Sequence, residues 1–112
     1  MKVINGYAIH SAGAALAVWR SSIALAAKLN QIKKFEGPVA MTLDFEVKKP
    51  RTVKRDYPTV PPDLDKLIRA VLDALTGIAY HDDAQVVHLI TTKIYSENPG
   101  VQVSIKALES VI

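Results

Sequence analysis

Two pairs of aspartates lie at the two ends of one predicted helix, and they are the main chemical signal in the chain. Asp63 and Asp65 follow two prolines, and Asp82 and Asp83 come later, just before the run Ala-Gln-Val-Val. Carboxylates without histidine or cysteine clusters suit Mg²⁺ better than zinc. A metal held this way can activate water and polarise a phosphate oxygen. The pattern predicts a hard divalent cation held against an anionic substrate.

Each pair also has an ordinary structural explanation. Asp63 is a natural helix N-cap and Asp65 falls in the first turn, where the helix dipole favours negative charge. Asp82 and Asp83 could be no more than a charged turn. Asp83 can approach Asp65 only if the strand that follows it runs back along the helix.

The elements that must position these aspartates have clear patterns. Residues 64–75 carry an apolar stripe at helical spacing, and Gly77 fits the C-terminal cap. Residues 39–47 alternate between apolar and polar side chains, which predicts a half-buried strand. Between them, residues 48–62 form a polar connection with four prolines. Connections of this length are usually functional or mobile.

The rest of the chain completes an α+β pattern. Asn5-Gly6 predicts a hairpin turn within residues 3–9. A helix is predicted over residues 14–34, and strands over 85–95 and 101–106. We therefore expect a single domain over residues 1–112, with a mixed or antiparallel sheet and two main helices packed on one face.

Composition narrows the function classes. The 112 residues carry a formal net charge of +3 and no cysteine, which excludes disulfides and thiolate metal sites. No apolar run is long enough to span a membrane, and no secretion signal is recognisable. We expect a cytoplasmic protein that does not associate with membranes.

Basic residues close to the aspartates could bring a phosphate to the metal. A cluster of five precedes Asp63 and comprises Lys48, Lys49, Arg51, Lys54 and Arg55. Such a cluster is often only a solvated segment, but beside acidic ligands it could guide a phosphate backbone. Arg69 could stabilise transition-state charge, or simply pair with Asp65 or Asp73 one turn away. Lys93 could act like Arg69.

The ordered set of these motifs resembles the RusA family of phage and prophage endodeoxyribonucleases. The resemblance rests on Pro-Asp-Leu-Asp-Lys-Leu-Ile-Arg at 62–69, Asp-Ala-Leu at 73–75, Asp-Asp-Ala-Gln-Val-Val at 82–87, and Lys93. It extends over about residues 14–106, and its specific part is 61–93.

The resemblance implies a small α+β homodimer that resolves four-way (Holliday) junctions in DNA, using Mg²⁺ or Mn²⁺. The family's essential acidic residues match Asp63, Asp65 and Asp83, with Asp82 beside them. Its catalytic helix lysine matches Arg69. The implied location is the cytoplasm of a bacterium or a phage-infected host.

Two features depart from the family pattern. Lys66 stands where the family has an asparagine, and lysine cannot accept a hydrogen bond. The family also begins with a further strand, whereas this chain starts at the hairpin-like segment.

The resulting hypothesis is a metal-dependent endonuclease. Asp63, Asp65 and Asp83, with Asp82, would bind the metal, and Arg69 would assist. DNA contacts are predicted for the five loop cations, Lys66 and Lys93. The alternative is a catalytically silent junction-binding protein of the same fold. A phosphatase with Asp63 as nucleophile is a third reading, but its motif normally ends a buried strand rather than following prolines.

Overall fold

A mixed sheet with two helices is the frame of the molecule. The computed structural model describes the backbone of residues 2–3, 6–11 and 16–108, with side chains from residue 20 onward. The strands are β1 (Lys2–Val3), β2 (Gly6–Ser11), β3 (Val39–Val47), β4 (Val86–Tyr95) and β5 (Gly100–Ala107), and the helices are α1 (Leu16–Leu29) and α2 (Leu64–Leu75). In the described chain the strand order is β1-β2-β5-β3-β4, so β4 lies at an edge.

The sheet is mixed because one of its strand pairs is parallel. β3 pairs in parallel with β4 and antiparallel with β5, and β5 pairs antiparallel with β2. The predicted N-terminal hairpin is present as antiparallel pairing of β1 with β2. Of the two predicted turn residues, Gly6 belongs to β2 and pairs with Val3, and Asn5 lies outside the described residues. The predicted α+β class with a mixed sheet is confirmed.

Alternation along the central strand creates one core. The side chains of Val39, Met41, Leu43 and Phe45 are buried, and those between them face the opposite side of the sheet. The buried side chains join residues of α1, α2 and β5 in a single hydrophobic cluster. Both helices therefore pack on the same face of the sheet, as predicted.

Helix α2 follows its sequence pattern closely. Leu67, Val71 and Leu75 are buried on its apolar stripe. The helix ends at Leu75 with Thr76 as its C-cap, and Gly77 then adopts φ +86°, a left-handed conformation that favours glycine. Nothing within 4 Å would meet a Cβ at Gly77, so the backbone conformation is what favours glycine here.

Helix α1 is shorter than its sequence predicts. It ends at Leu29 instead of continuing to residue 34. The Asn30 side chain donates to the Ala26 carbonyl (2.7 Å), and Gln31 takes a positive φ of 53°. The amide of Phe35 then donates to the Ala79 carbonyl (2.8 Å), which ties this segment to the turn after α2. Tertiary contacts thus override the helix propensity of residues 30–34. Neither helix of the described chain is long and apolar enough to cross a membrane.

Candidate metal and DNA site

The first aspartate pair lies at the start of α2. Asp63 occupies the N-cap with extended backbone (φ −70°, ψ 147°). Its carbonyl accepts hydrogen bonds from the amides of Lys66 and Leu67 (3.1 and 3.2 Å), but its carboxylate makes no capping hydrogen bond. Asp65 is exposed in the first turn. Both carboxylates lie at the positive end of the helix dipole and remain available to a ligand.

The two residues of the second aspartate pair, Asp82 and Asp83, have different roles. Asp82 caps a short 3-10 turn, Asp83–Gln85, by accepting a hydrogen bond from the Ala84 amide at 2.9 Å. Gln85 completes the capping box, because its side-chain oxygen accepts from the Asp82 amide (3.1 Å). The Asp83 side chain is half-buried in the same turn and does not take part in the cap. Asp83 is therefore the better candidate ligand of the two.

The turn around Asp83 is anchored to the segment before β3. The Gln85 amide nitrogen donates to the carbonyls of Phe35 and Gly37, both at 2.9 Å. The His81 ring lies 2.8 Å from a Glu36 carboxylate oxygen. His81 is exposed, and its ring is engaged with Glu36. These contacts fix the position of Asp83 relative to the sheet.

The two pairs do not meet within one chain. The Lys93 ammonium, near the end of β4, contacts Pro62 at the start of α2, so β4 runs antiparallel to the helix. Asp83 precedes β4 and therefore remains at the far end of α2. A helix of 12 residues is about 18 Å long. The strand therefore does run back along α2, but it begins only after Asp83 and so does not carry Asp83 toward Asp65. Among the described residues no three acidic or histidine side chains are grouped to hold a metal.

Tyr80 links the end of α2 to Asp83. Its side chain is buried, and its hydroxyl donates to the Leu72 carbonyl at 2.8 Å. Burial raises the pKa of Tyr80 well above its ordinary value of 10.0. A hydrogen bond with Thr76 opposes this, and the charges of Asp83 and Asp73 raise the pKa further. Asp83 therefore lies close enough to act electrostatically on the C-terminal end of the helix.

This raised pKa predicts a loss of stability at high pH. The folded state holds the Tyr80 proton more tightly than the unfolded state, so the contribution is complete below pH 10. We expect the free energy of unfolding to fall above that value, by up to about 1.4 kcal/mol per pH unit. Tyr80→Phe should lack this fall in stability at high pH. At neutral pH its free energy of unfolding should be lower by about 1 kcal/mol, because the hydrogen bond to Leu72 is lost. Urea unfolding from pH 7 to 11 measures both effects. Tyr57→Phe, at a 68% exposed position, is the control, and an equal alkaline slope in Tyr80→Phe and the wild type would contradict the assignment.

Arg69 lies exposed on α2, one turn after Asp65. The ion pair expected between Arg69 and Asp73 is replaced by another, because Asp73 pairs with Arg20 of α1 at 3.5 Å. No ion pair joins Arg69 to Asp65 in the described chain. Side chains four residues apart share one face of a helix. The Arg69 guanidinium is thus available on the same face as the Asp65 carboxylate.

The connection of residues 48–62, which we call the basic loop, has its end next to the start of α2. Lys93 donates to the carbonyls of Val60 and Pro62, both at 2.9 Å, and so ties the end of the loop to β4. The sequence did not predict this structural role. The loop cations Lys48, Lys49, Arg51, Lys54 and Arg55 are all exposed, as is Lys66. The loop therefore presents positive charge beside the first aspartate pair.

A cleft under this loop was missed by sequence reasoning. Its volume is about 460 Å³, and Pro58, Pro61, Pro62, Leu67 and Tyr95 are among its walls. We call it the proline cleft. Arg55 donates from Nε to the Tyr95 hydroxyl (2.9 Å), and the Lys49 ammonium lies 5.7 Å from the centre of the Tyr95 ring. The sequence signal was the cluster of prolines around a basic stretch, but Tyr95 lies too far along the chain to be linked with it by pattern alone.

Comparison with known proteins gives two findings. The family model described as endodeoxyribonuclease RusA matches residues 8–106. An uncharacterized protein of Bacillus subtilis (strain 168), YqaN, is 35% identical over an alignment of 86 residues, and the match covers 66% of this chain. The match spans 61% of the length of YqaN.

Proposed function

Because the chain belongs to the RusA endodeoxyribonuclease family, we propose that it is a metal-dependent endonuclease that resolves four-way DNA junctions as a homodimer, acting in the cytoplasm of a bacterium or phage-infected host. One observation carries the proposal. The family's acidic motif lies at the start of α2, where the Asp63 carboxylate makes no capping hydrogen bond and Asp65 is exposed. On the same helix face lies Arg69, which forms no ion pair within the described part of the chain. Capping alone does not explain this arrangement.

The donors fit Mg²⁺ or Mn²⁺ but form only part of a site. Asp63 and Asp65 offer only oxygen ligands, which hard cations prefer, and Mg²⁺ commonly takes one or two carboxylates and completes its shell with water and phosphate. Asp83 would complete the acidic set, with Asp82 beside it. When bound, the metal would supply water of lowered pKa and a polarised phosphate oxygen. Since Asp83 lies at the other end of α2, we propose that a second copy of the chain contributes it.

The edge strand offers a way to assemble such a site. β4 is at the edge of the described sheet, and Val87, Ile90 and Ile94 on it are 62%, 54% and 40% exposed. Two copies of β4 paired antiparallel across a two-fold axis would set the start of one strand beside the end of the other. The end of β4 carries Lys93, which contacts Pro62 next to Asp63. The partner's Asp83 would then approach the first aspartate pair.

The remaining residues have roles that follow from charge. Arg69 neutralises negative charge that develops on the phosphate, and a preorganised cation costs little reorganisation during the reaction. The carboxylates orient the attacking water and accept its proton. Lys48, Lys49, Arg51, Lys54, Arg55 and Lys66 hold the DNA backbone on either side of the cut. Such contacts position DNA without reading its sequence.

The test compares a labelled four-way junction with a linear duplex of the same sequence. Each is incubated with the protein in Mg²⁺, in Mn²⁺ and in a chelator. We expect paired, symmetric nicks in the junction alone, and only with metal. Equal cutting of the duplex would contradict junction resolution. Tight junction binding without product in either metal would instead favour the catalytically silent binding protein. Lys66→Asn, which introduces the residue of the family pattern, would then be the first variant to test.

A further inference from the structure

We propose that the proline cleft binds one unpaired nucleotide of the DNA, with its base against Tyr95 and the prolines and its phosphate on Arg55. This inference deepens the proposed function and rests on it for the identity of the ligand as DNA. The cleft is separate from the carboxylate set, and of the five loop cations considered above only Lys48 and Arg55 line it.

Size and surface of the cleft suit a base. Its volume of about 460 Å³ falls in the range of small-molecule pockets and exceeds what a single water requires. Leu67 at its base is 1% exposed, and Pro58 is buried. Flat apolar surfaces of this kind, with one aromatic ring, are what proteins use to stack unpaired bases without selecting their sequence.

The charges around the cleft suit a phosphate. Arg55 spends its Nε on the Tyr95 hydroxyl (2.9 Å), so the two terminal nitrogens of the guanidinium remain for a bidentate contact. Lys48 also lines the cleft and is exposed. Lys93 lines it as well, but its ammonium donates to two loop carbonyls. It therefore stabilises the wall of the cleft and is not assigned to the phosphate. Among the residues that line the cleft, the half-buried Glu46 is the one carboxylate, against the three cations Lys48, Arg55 and Lys93. The excess of positive charge above an apolar floor matches a nucleotide better than a neutral ligand.

The position of the cleft links it to the proposed reaction. Pro61 and Pro62 form part of its wall, and Asp63 is the next residue. Neighbouring Cα atoms are only about 3.8 Å apart. A nucleotide in the cleft would therefore lie next to the phosphates that Asp63 and Asp65 can reach. Extrusion of a base costs least where its pairing and stacking are already disrupted.

The test uses a short single-stranded oligonucleotide that carries 2-aminopurine, a base whose fluorescence falls when it stacks. We expect the wild-type protein to quench it. Tyr95→Leu should weaken binding roughly tenfold or more, because a base–aromatic stack is commonly worth that much. Tyr95→Phe keeps the ring and should keep the quenching. Tyr57→Leu removes an exposed loop tyrosine outside the cleft and is the matched control.

A second pair of variants changes residues outside the sheet, whereas Tyr95 belongs to β4. Val60 lines the cleft and is 40% exposed, whereas its neighbour Thr59 is exposed but does not line it. Val60→Asp and Thr59→Asp change the charge equally, so only Val60→Asp should abolish quenching. Equal effects of the two, or full binding by Tyr95→Leu, would overturn the inference.

Junction cleavage by the same proteins is scored separately. Wild-type cleavage without Tyr95-dependent quenching would reject the cleft and leave the nuclease proposal intact. Tyr95-dependent quenching without cleavage would support the cleft and count against the nuclease.

Discussion

Asp65→Asn should reduce metal-dependent junction cleavage by at least about a hundredfold while leaving junction binding intact or tighter. The lower bound follows from metal sites in general, where loss of a residue that merely orients a ligand already costs roughly 10- to 100-fold. Asparagine has nearly the same shape and keeps one oxygen, but it lacks the charge. Because Asp65 is exposed in the first turn of α2, the substitution should not disturb packing.

Binding should respond in the opposite direction for an electrostatic reason. The carboxylate repels the phosphate backbone when no metal is bound, so its neutralisation removes a repulsion. Single-turnover cleavage in Mg²⁺ measures the first effect, and gel-shift titration of the junction in a chelator measures the second.

A matched control comes from the same helix. Asp73→Asn removes an equal charge two turns further on, where Asp73 pairs with Arg20 at 3.5 Å. It should cut at close to the wild-type rate, since the exposed pair contributes about 0–1 kcal/mol. Unchanged cleavage by Asp65→Asn, or equal losses in both variants, would reject Asp65 as a metal ligand.

The parts of the fold that local periodicity determines were predictable from the sequence. The strand 39–47 and the helix 64–75 have the predicted bounds, because one alternates with period two and the other carries an apolar stripe. Helix α1 was overextended because residues 30–34 lack a helix-breaking residue, and only the contact of Phe35 with Ala79 shows why the chain turns away.

The candidate site was predictable as a set of residues but not as an arrangement. The identities of Asp63, Asp65 and Asp83 come from spacing and family resemblance, and their roles stay predictions. Their separation depends on the direction of β4 relative to α2, and sequence periodicity carries no information on that direction. The proline cleft likewise depends on Tyr95, Leu67 and the loop meeting in space. Pairings of this kind are set by tertiary packing, which local patterns do not encode.

Mixing two inactive variants should restore cleavage if the acidic site spans two copies of the chain. In a mixed dimer of Asp65→Asn with Asp83→Asn, one site combines the intact Asp65 of one copy with the intact Asp83 of the other. The second site carries both defects. Random mixing makes half of the dimers mixed, so we expect about a quarter of the wild-type nicking rate. The products should be single nicks, since only one site per dimer works.

In the control mixture both substitutions affect the first aspartate pair, which a single chain contributes to each site. Asp63→Asn with Asp65→Asn leaves every site of a mixed dimer with one damaged residue, so activity should stay at the level of each variant alone. Co-expression with two different tags isolates the mixed dimers, and a labelled junction scores nicks against paired cuts. If the site instead lay within one chain, mixed Asp65→Asn and Asp83→Asn dimers would have one defect per site and remain inactive. The separation of the two aspartate pairs along α2 favours restoration, because a helix of about 18 Å keeps Asp83 from reaching Asp65 in its own chain.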